Sequence, residues 1–442
     1  MNQILQKASK YTIPSGLVEK QKSAIVEQAV RLVQKQASSY SQVTGIEVVG
    51  SYAKGTWLPK KADIDVFVKF HVDTPEKEFI ELGKKIGFAS LKDFKPYVRY
   101  AEHPFVEAQI KDTKVNVVPC YDVQEGSWKS SADRSPFHTK FMIKSLTGIM
   151  KNEVRLLKAF LKANDIYGAE IAKQGFSGYV AEVLVLNFGS FENVLKAISE
   201  LKSGQVIGNT SKLFDTKIVI IDPIDQNRNL GAAISIENIG KFVLSSRAFL
   251  RKPSVSLFVP RKGKSKMNTK NVLVLSFKYK QRSPDIIWGQ IKRTTTSLAT
   301  QMNQAGFSVL KRSSAITDDN VAACLFLLQS TRLDNLQARV GPEFFVADHV
   351  EKFIAANKKK SLTTWINDDG KVCSLQKRQN IDAVQFLRKL IQNNIEKAGV
   401  PAGLKSEIKK FKITSGNIIK NKSIKEAAQE LVSIDETIFS SK

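Results

Sequence analysis

Residues Val48–Phe70 read VVGSYAKGTWLPKKADIDVFVKF. An apolar run ends at Gly50-Ser51, and a second apolar run follows that contains Asp63-Ile64-Asp65. This order predicts a strand, a turn that starts a helix, and then a second strand. Because side chains alternate between the two faces of a strand, we expect Asp63 and Asp65 to share one face while Ile64 points into the core.

Two carboxylates on one face repel each other unless a cation lies between them. Mg²⁺ suits such a pair, because it binds a few carboxylate oxygens and keeps its other positions for water and substrate phosphates. Gly50 lets the backbone approach a phosphate closely, and Ser51 offers a hydroxyl at a helix start, where anions bind. Alone, a D-x-D pair on a solvated strand and a Gly-Ser turn are both common. Their ordered combination indicates a nucleotide held by its triphosphate at a carboxylate metal site, and it resembles the polymerase-β-like nucleotidyltransferase signature.

The composition points to a polyanionic partner. The chain has 442 residues, with 68 Lys+Arg against 42 Asp+Glu, a net charge of +26 and a pI of about 9.8. Such an excess favours nucleic acid or an anionic membrane surface. There is no apolar run long enough for a spanning helix, and the N-terminus lacks the apolar core of a signal peptide. Three scattered cysteines without a C-x-x-C pair fit a reducing cytoplasm and argue against disulfides or structural zinc.

A hairpin is predicted downstream of the carboxylate pair. Val106–Ile110 and Lys114–Val118 flank a turn at 111–113. On the second arm the neighbours of Asn116 point to the core, so Asn116 lies on the opposite face, beside Asp63 and Asp65. Amphipathic helices at 16–38 and 75–90 are expected to cover the sheet.

The middle of the chain carries several basic residues in patterned positions. Residues 131–138 are turn-rich and predict a link between modules. A helix from Lys151 places Arg155, Lys158 and Lys162 on one stripe, which is either a solvated face or a binding surface. The polar segment 222–229 follows a short strand at 216–221 and is predicted to be a loop, in which Arg228 either belongs to the turn or pairs with a base edge or phosphate. A third module starts near Asn271, with a strand–helix–strand–strand order that suggests a small α+β sandwich, and a Lys-rich tail at 403–442 is predicted to be helical.

At this point a family resemblance is clear over most of the chain. The sequence resembles the archaeal (class I) CCA-adding enzymes, which are tRNA nucleotidyltransferases of the polymerase-β-like superfamily. The matching motifs are Gly50-Ser51-Tyr52-Ala53-Lys54, Thr56-Trp57-Leu58, Asp63-Ile64-Asp65-Val66-Phe67, Tyr100-Ala101-Glu102-His103-Pro104, Val117-Val118-Pro119-Cys120-Tyr121, Pro136-Phe137-His138, the run 152–162, Ile166-Tyr167-Gly168-Ala169-Glu170, Gly175-Phe176-Ser177-Gly178-Tyr179, and Asp222-Pro223 with Arg228-Asn229.

The resemblance implies an activity and an architecture. The activity is template-independent addition of C, C and A to the 3′ end of tRNA, from CTP and ATP, with Mg²⁺ and a two-metal mechanism and with release of pyrophosphate. The fold would be α+β and multidomain, with a polymerase-β-like catalytic head that contains a mixed sheet, a helical neck, a small α+β sandwich body and a helical tail. The implied boundaries are 1–147 for the head, 148–258 for the nucleotide-selecting neck, and 259–442 for the body and tail that bind the tRNA acceptor arm. A cytoplasmic protein, and a homodimer as a further option, complete these expectations.

The resemblance also implies roles for individual residues. Asp63 and Asp65 would hold the metals, and Asn116 stands at the third metal position. Arg228 would contact the base and help to select C or A. The residues expected to bind the phosphates and sugar of the nucleotide are Ser51, Lys54, His103, His138, Lys158 and Tyr167.

Asn116 departs from the family pattern, which has a carboxylate there. An amide keeps one neutral oxygen but loses the charge, so we expect a weaker metal site next to the attacking hydroxyl. Three readings stay open: an inactivated variant, an active enzyme in which two carboxylates suffice, or a tRNA-binding paralogue that no longer polymerises. A relaxed RNA-tailing polymerase is a further alternative on the same scaffold.

Overall fold

The computed structural model describes residues 1–59, 62–99, 104–260, 263, 265, 267–435 and 438. They form two compact units. The first comprises the described residues of Met1–Lys262, Arg282–Ile286 and Asp435–Lys442, and the second those of Gly263–Gln281 and Ile287–Ile434. Each unit has its own hydrophobic core and is described by itself.

The first unit begins with a five-stranded mixed sheet. The strand order is β1-β2-β5-β4-β3, in which β2 and β5 are parallel and the other neighbours antiparallel. The predicted hairpin is confirmed as β4 and β5, and the predicted covering helices as α2 and α4. The elements of this part are α1 (Asn2–Thr12), α2 (Gly16–Ala37), β1 (Val43–Val49), α3 (Gly50–Lys54), β2 (Ile64–Phe70), α4 (Glu76–Ser90), β3 (Tyr97–Arg99), β4 (Phe105–Ile110) and β5 (Thr113–Tyr121).

Apolar residues of alternate positions bury one face of this sheet against α2 and α4. Ile64, Val66 and Val68 are fully buried there with Val115 and Val117. The intervening positions, which include 65 and 116, therefore face the other side, where α3 and the helix Arg134–Ser145 pack. Burial of one face thus fixes which side chains are available for chemistry.

The rest of the first unit is mainly helical, as predicted for a neck. A core of packed aromatic rings, among them Phe160, Phe191 and Phe249, joins its helices. The elements are α5 (Arg134–Ser145), α6 (Gly148–Ala163), α7 (Gly178–Phe188), α8 (Phe191–Ser199), β6 (Gln205–Ile207), β7 (Ile218–Asp222), β8 (Asp225–Asn229) and α9 (Ile236–Arg251).

Two local expectations in this region are wrong. Residues 131–138 form a 3₁₀ turn that leads into α5 at Arg134, because Asp133 accepts hydrogen bonds from the backbone of residues 129 and 130 and fixes the helix entry. Residues 225–229 form strand β8 instead of a loop. Five consecutive polar residues conceal this strand, which pairs antiparallel with the buried strand β7 directly before it in the chain.

The second unit contains two antiparallel sheets, ordered β10-β11-β9-β15 and β12-β14-β13. The predicted strand–helix–strand–strand order is present as β9, α10, β10 and β11. The tail has helices, but it also supplies β15, which pairs with β9 and extends the sheet formed by β10, β11 and β9. The elements are β9 (Val272–Lys278), α10 (Pro284–Gln304), β10 (Val309–Ile316), β11 (Val321–Leu328), β12 (Leu336–Glu343), α11 (Ala347–Asn357), β13 (Ser361–Ile366), β14 (Lys371–Lys377), α12 (Ala383–Asn393), α13 (Lys405–Ile408), β15 (Lys412–Ser415) and α14 (Lys422–Val432).

The α+β multidomain class is therefore confirmed. Across the described part of the chain, none of the helices has both the length and the apolar character needed to cross a membrane.

Candidate active site

A row of polar side chains runs across the strands on the face of the five-stranded sheet that lies opposite α2 and α4. Asp65 on β2 pairs with Asn116 on β5, which in turn pairs with Glu107 on β4. The amide Nδ2 of Asn116 donates to Oδ1 of Asp65 at 2.8 Å. Asp63 is exposed and lies directly before β2. The predicted proximity of Asn116 to Asp65 is thus confirmed.

The turn after β1 approaches this row closely. Gly50 begins α3 with φ +78°, and a Cβ at this position would overlap a carboxylate oxygen of Asp65. A glycine is therefore required both for the left-handed backbone and for the close approach. Ser51 and Lys54 follow on α3, on the side of Asp65 away from Asn116.

A buried carboxylate on α7 holds the two predicted phosphate-binding lysines. Glu182, fully buried, accepts hydrogen bonds from Lys54 Nζ at 2.5 Å, Thr56 Oγ1 at 2.5 Å and Lys158 Nζ at 2.8 Å. Lys158 also donates to the backbone oxygen of Thr56 at 3.2 Å and to its hydroxyl at 3.0 Å. We call Lys54, Thr56, Lys158 and Glu182 the Glu182 cluster. It joins the loop after α3 to helices α6 and α7.

The helical stripe that the sequence left open therefore does not form a solvated face. Lys158 is 2% exposed and Arg155 is 8% exposed. The guanidinium of Arg155 donates to the backbone oxygen of Trp57 at 3.2 Å and to Asn152 Oδ1 at 2.6 Å. Both residues attach α6 to the segment that follows α3.

A second buried carboxylate holds the predicted base-contacting residue. Asp222 accepts from His138 Nε2 and from Arg228 at 2.9 Å each through Oδ2, and from the Tyr179 hydroxyl at 2.9 Å through Oδ1. The ring of His138 stacks on Tyr179 with centroids 3.9 Å apart. These four residues form the Asp222 cluster, in which the side chain of Arg228 remains 41% exposed.

Helix α7 connects the two clusters. It carries Tyr179 and Glu182 three residues apart, on neighbouring positions of one helical face. The ammonium of Lys54 lies 5.3 Å from the centroid of the Tyr179 ring. Groups predicted to bind phosphate and base are thus fixed to the same helix.

Tyr167 lies in the segment between α6 and α7, where it forms an isolated β-bridge with Phe176. A Cβ at Gly178 would be 2.8 Å from the Tyr167 hydroxyl and 3.5 Å from Lys158 Nζ, so this glycine leaves room for both groups. The structure thus places Tyr167 beside the Glu182 cluster. His103, another predicted nucleotide contact, lies outside the described residues.

The charges of the Glu182 cluster explain its pKa values. Burial alone would raise the pKa of Glu182, but the attraction of Lys158 and Lys54 outweighs it and lowers that pKa to about 2. The pKa of Lys158 is lowered to about 8, first by burial and also by repulsion from Lys54. The attraction of Glu182 compensates for these two effects only in part. With both lysines protonated, the cluster carries one excess positive charge, which suits a bound anion.

Burial also acts on the neighbouring groups. It would raise the pKa of Asp222, yet the hydrogen bonds from His138 and other donors leave that pKa below its usual value. Burial lowers the pKa of His138, and the hydrogen bond between its Nε2 and Asp222 opposes that shift. The pKa of Asp65 is raised, first by desolvation and then by the charge of Asp63, while the hydrogen bond from Asn116 acts in the opposite direction.

The donor set fits a divalent cation with a neutral third ligand. Asn116 is 9% exposed, and its Oδ1 is buried without a hydrogen-bond partner. Carboxylate and amide oxygens are ligands that hard cations accept. Within the residues that the structure describes, no group of three or more His, Cys, Asp or Glu is placed to hold a metal. The buried Oδ1 of Asn116 is the oxygen on β5 that could serve as a third ligand beside Asp63 and Asp65.

Sequence reasoning missed the residues that organise the site. Glu182 and Asp222 had no predicted role, although Asp222 belongs to a matched motif. A signal for Glu182 was present, since it is the one charged residue in the apolar helix sequence GYVAEVLVLNF. A lone carboxylate in such a helix is usually buried and paired.

Known families and proteins match this chain along its length. Three family profiles match: a nucleotidyltransferase domain at residues 30–142, the second domain of tRNA nucleotidyltransferase at 152–259, and the C-terminal domain of CCA-adding enzyme at 268–416. A CCA-adding enzyme of Saccharolobus islandicus is 36% identical over 350 residues, which are 78% of this chain and 83% of the relative. One from Pyrobaculum aerophilum is 36% identical over 358 residues, covering 80% and 85%. Among solved structures, the Cid1 poly(U) polymerase covers 59% of this chain and 98% of its own, with 13% identity and a TM-score of 0.44.

Proposed function

Because the chain belongs to the CCA-adding enzyme family, we propose that it adds C, C and A to the 3′ end of tRNA from CTP and ATP, releasing pyrophosphate. The observation that carries this assignment is the arrangement of Asp65 and Asn116 beside two buried carboxylate clusters. Those clusters hold Lys54, Lys158 and Arg228, three of the residues expected to bind a nucleotide.

In this reaction the 3′-hydroxyl of tRNA attacks the α-phosphorus, and pyrophosphate leaves on the opposite side. Asp63, Asp65 and the Oδ1 of Asn116 would hold Mg²⁺, which when bound would lower the pKa of the attacking hydroxyl and neutralise charge on the triphosphate. Ser51 and Lys54 bind the triphosphate on the α3 side of Asp65. The protein therefore contributes mainly position and preorganised charge.

The Asp222 cluster is proposed to select the nucleotide. Arg228 has one nitrogen bound to Asp222 and a partly exposed guanidinium, so its other N–H groups are available for a base edge. His138, Lys158 and Tyr167 act on the sugar and phosphate side, with Lys158 presented by Glu182. His103 keeps its predicted role as a nucleotide contact.

We also propose how the chain divides its tasks. Head, neck, and body with tail would follow the boundaries 1–147, 148–258 and 259–442, with the last part gripping the acceptor stem through phosphate contacts of its lysines. The chain would work in the cytoplasm. A homodimer stays a prediction, which sedimentation equilibrium of the free protein would decide.

The test is extension of a tRNA that lacks its terminal CCA, with labelled CTP and ATP and with Mg²⁺. We expect ordered addition that stops after A. Asn116 favours a second candidate, a tRNA-binding protein that does not polymerise. That candidate predicts no extension by the unmodified chain and recovery in Asn116→Asp, so running the two proteins side by side separates the alternatives.

A further inference from the structure

A second group of charged side chains lies on the same sheet face, beyond Asn116. Glu107, which pairs with Asn116, pairs on its other side with Tyr97 of the edge strand β3. Its carboxylate accepts from the Tyr97 hydroxyl and makes ion pairs with Lys114 Nζ at 3.3 Å and Arg99 Nε at 3.5 Å. We call Tyr97, Arg99, Glu107 and Lys114 the Glu107 cluster.

The cluster has a buried anion and exposed donors. The side chain of Glu107 is 5% exposed, whereas those of Arg99 and Lys114 are 48% and 47% exposed. One carboxylate faces two cations, so an excess positive charge remains at the surface. A guanidinium has five N–H donors and an ammonium three, so each cation keeps donors for a further acceptor.

The order of the polar groups across the sheet indicates which part of the substrates lies beside the Glu107 cluster. From β1 toward β3 the groups are Gly50 with α3, then Asp65, then Asn116, then the Glu107 cluster. Attacking and leaving oxygens lie on opposite sides of the phosphorus in phosphoryl transfer. With the triphosphate on the α3 side of Asp65, the attacking hydroxyl comes from the side of Asn116 and Glu107.

The RNA chain that carries this hydroxyl must therefore pass over the β-strands β4 and β3. Neighbouring strands are about 4.8 Å apart, so Glu107 lies one strand beyond Asn116 and about 10 Å from Asp65. A nucleotide whose 3′-hydroxyl is at Asn116 carries its 5′-phosphodiester in that direction. We propose that Arg99 and Lys114, oriented by Glu107, bind the last phosphodiester of the tRNA 3′ end, with the Tyr97 ring beside its ribose. This inference rests on the proposed function and names the RNA subsite of that reaction.

The experiment uses Arg99→Gln, Lys114→Gln and the double variant of the full chain. Lys77→Gln is the matched control, because Lys77 is exposed on α4, which packs on the other face of the sheet. Steady-state extension is measured with tRNA lacking CCA. We expect the double variant to raise the KM for tRNA about tenfold, as losing two phosphate contacts implies, with the KM for CTP and kcat within about twofold of those of the unmodified chain. The control should change neither constant.

A second substrate tests which phosphate is bound. A tRNA with an uncharged methylphosphonate at its last linkage should raise the KM of the unmodified chain about as much as the double variant does, and should not raise the KM of the double variant further. The proposal would be overturned if the methylphosphonate raised the KM for tRNA equally in the unmodified chain and in the double variant. It would also be overturned if the double variant kept the KM for tRNA of the unmodified chain, or changed the KM for CTP instead.

Fluorescence anisotropy with the same two RNAs keeps this test separate from catalysis. If the unmodified chain binds the RNA without extending it, the proposed reaction fails. The subsite is then still judged by whether the double variant loses affinity only for the RNA with the charged linkage.

Discussion

Replacing Glu182 with Gln is expected to damage nucleotide binding more than folding alone would explain. The carboxylate is fully buried and is the shared partner of two ammonium groups and one hydroxyl, at 2.5–2.8 Å. Removing one member of a buried ion pair costs about 3–5 kcal/mol, because the remaining charge loses its partner. The variant retains an amide oxygen, so the hydrogen bond of Thr56 can persist while the charge is lost.

The pKa of Glu182 gives a similar magnitude. Its folded value of about 2 lies below its ordinary value of 4.5, a difference worth about 3 kcal/mol. Because the folded pKa is depressed, this stability is present above pH 4.5 and is lost as the pH falls toward 2. A loss of about 3 kcal/mol in Glu182→Gln corresponds to a drop in Tm of about 6–12 °C for a unit of this size.

The functional consequence follows from Lys158. Its pKa is already about 8 with the carboxylate present, and the attraction of that charge 2.8 Å from its Nζ is worth about 6 kcal/mol at an effective dielectric constant of about 20. In Glu182→Gln the pKa of Lys158 therefore moves further down, so that at neutral pH the amine is uncharged. We expect the KM for CTP to rise about tenfold, the equivalent of 1.4 kcal/mol.

The pH profile separates this role from a purely structural one. In the unmodified chain the affinity for CTP should decline as the pH rises through about 8, because Lys158 loses its proton and the Glu182 cluster loses its excess charge. In Glu182→Gln this decline should shift to lower pH. Glu153→Gln serves as control, since Glu153 accepts a backbone hydrogen bond from Phe191 within the same helical region.

A double variant guards against simple unfolding. Lys158→Met combined with Glu182→Gln removes both charges of the Lys158–Glu182 pair, so that Lys54 is the remaining buried ammonium of the cluster. This double variant should recover much of the Tm lost in Glu182→Gln without recovering the affinity for CTP. A Glu182→Gln protein whose Tm falls while its KM for CTP and the alkaline decline in CTP affinity stay unchanged would refute this role of Glu182.

Three further substitutions test other parts of the site. Asp222→Asn removes the charge that orients Arg228, and we expect the preference for CTP over UTP at the first position, measured as a ratio of kcat/KM, to fall about tenfold; an unchanged ratio would contradict this role. Asn116→Asp places a second carboxylate opposite Asp65, so we expect a lower Tm without metal, by about 1 kcal/mol of stability, and a larger rise in Tm on adding Mg²⁺; equal Mg²⁺-dependent rises would count against the metal site. Gly50→Ala forces a Cβ against Asp65 at φ +78° and should cost about 1–3 kcal/mol of stability. The control Gly126→Ala, at φ +92° with nothing within 4 Å of the added Cβ, measures the backbone contribution alone, and equal losses of stability in the two variants would show that the contact with Asp65 is not strained.

Much of the site geometry followed from local patterns. Alternation along β2 and β5 was enough to place Asp65 and Asn116 on one face, because burial of Ile64, Val66 and Val115 leaves no other choice. The Gly-Ser turn, the hairpin and the long helices were likewise predicted, since each depends on neighbours in sequence.

Predictions failed where the partner is distant in sequence. The stripe with Arg155 and Lys158 could not be recognised as buried, because its partners Trp57 and Glu182 lie 98 and 24 residues away. Strand β8 and the entry to α5 were missed for a different reason: their partners β7 and Asp133 are close in sequence, but polar residues form both elements and conceal them.

The sequence by itself determined the family, the sheet that carries the carboxylates, and most of the residues proposed for the site, because these depend on the order and period of residue types. Only the tertiary structure decided which groups orient them. Glu182 and Asp222 are single carboxylates whose meaning depends on the cations and donors that the fold brings within 3 Å. A buried charge is stable only with such partners, and no local pattern specifies partners that come from different helices and strands.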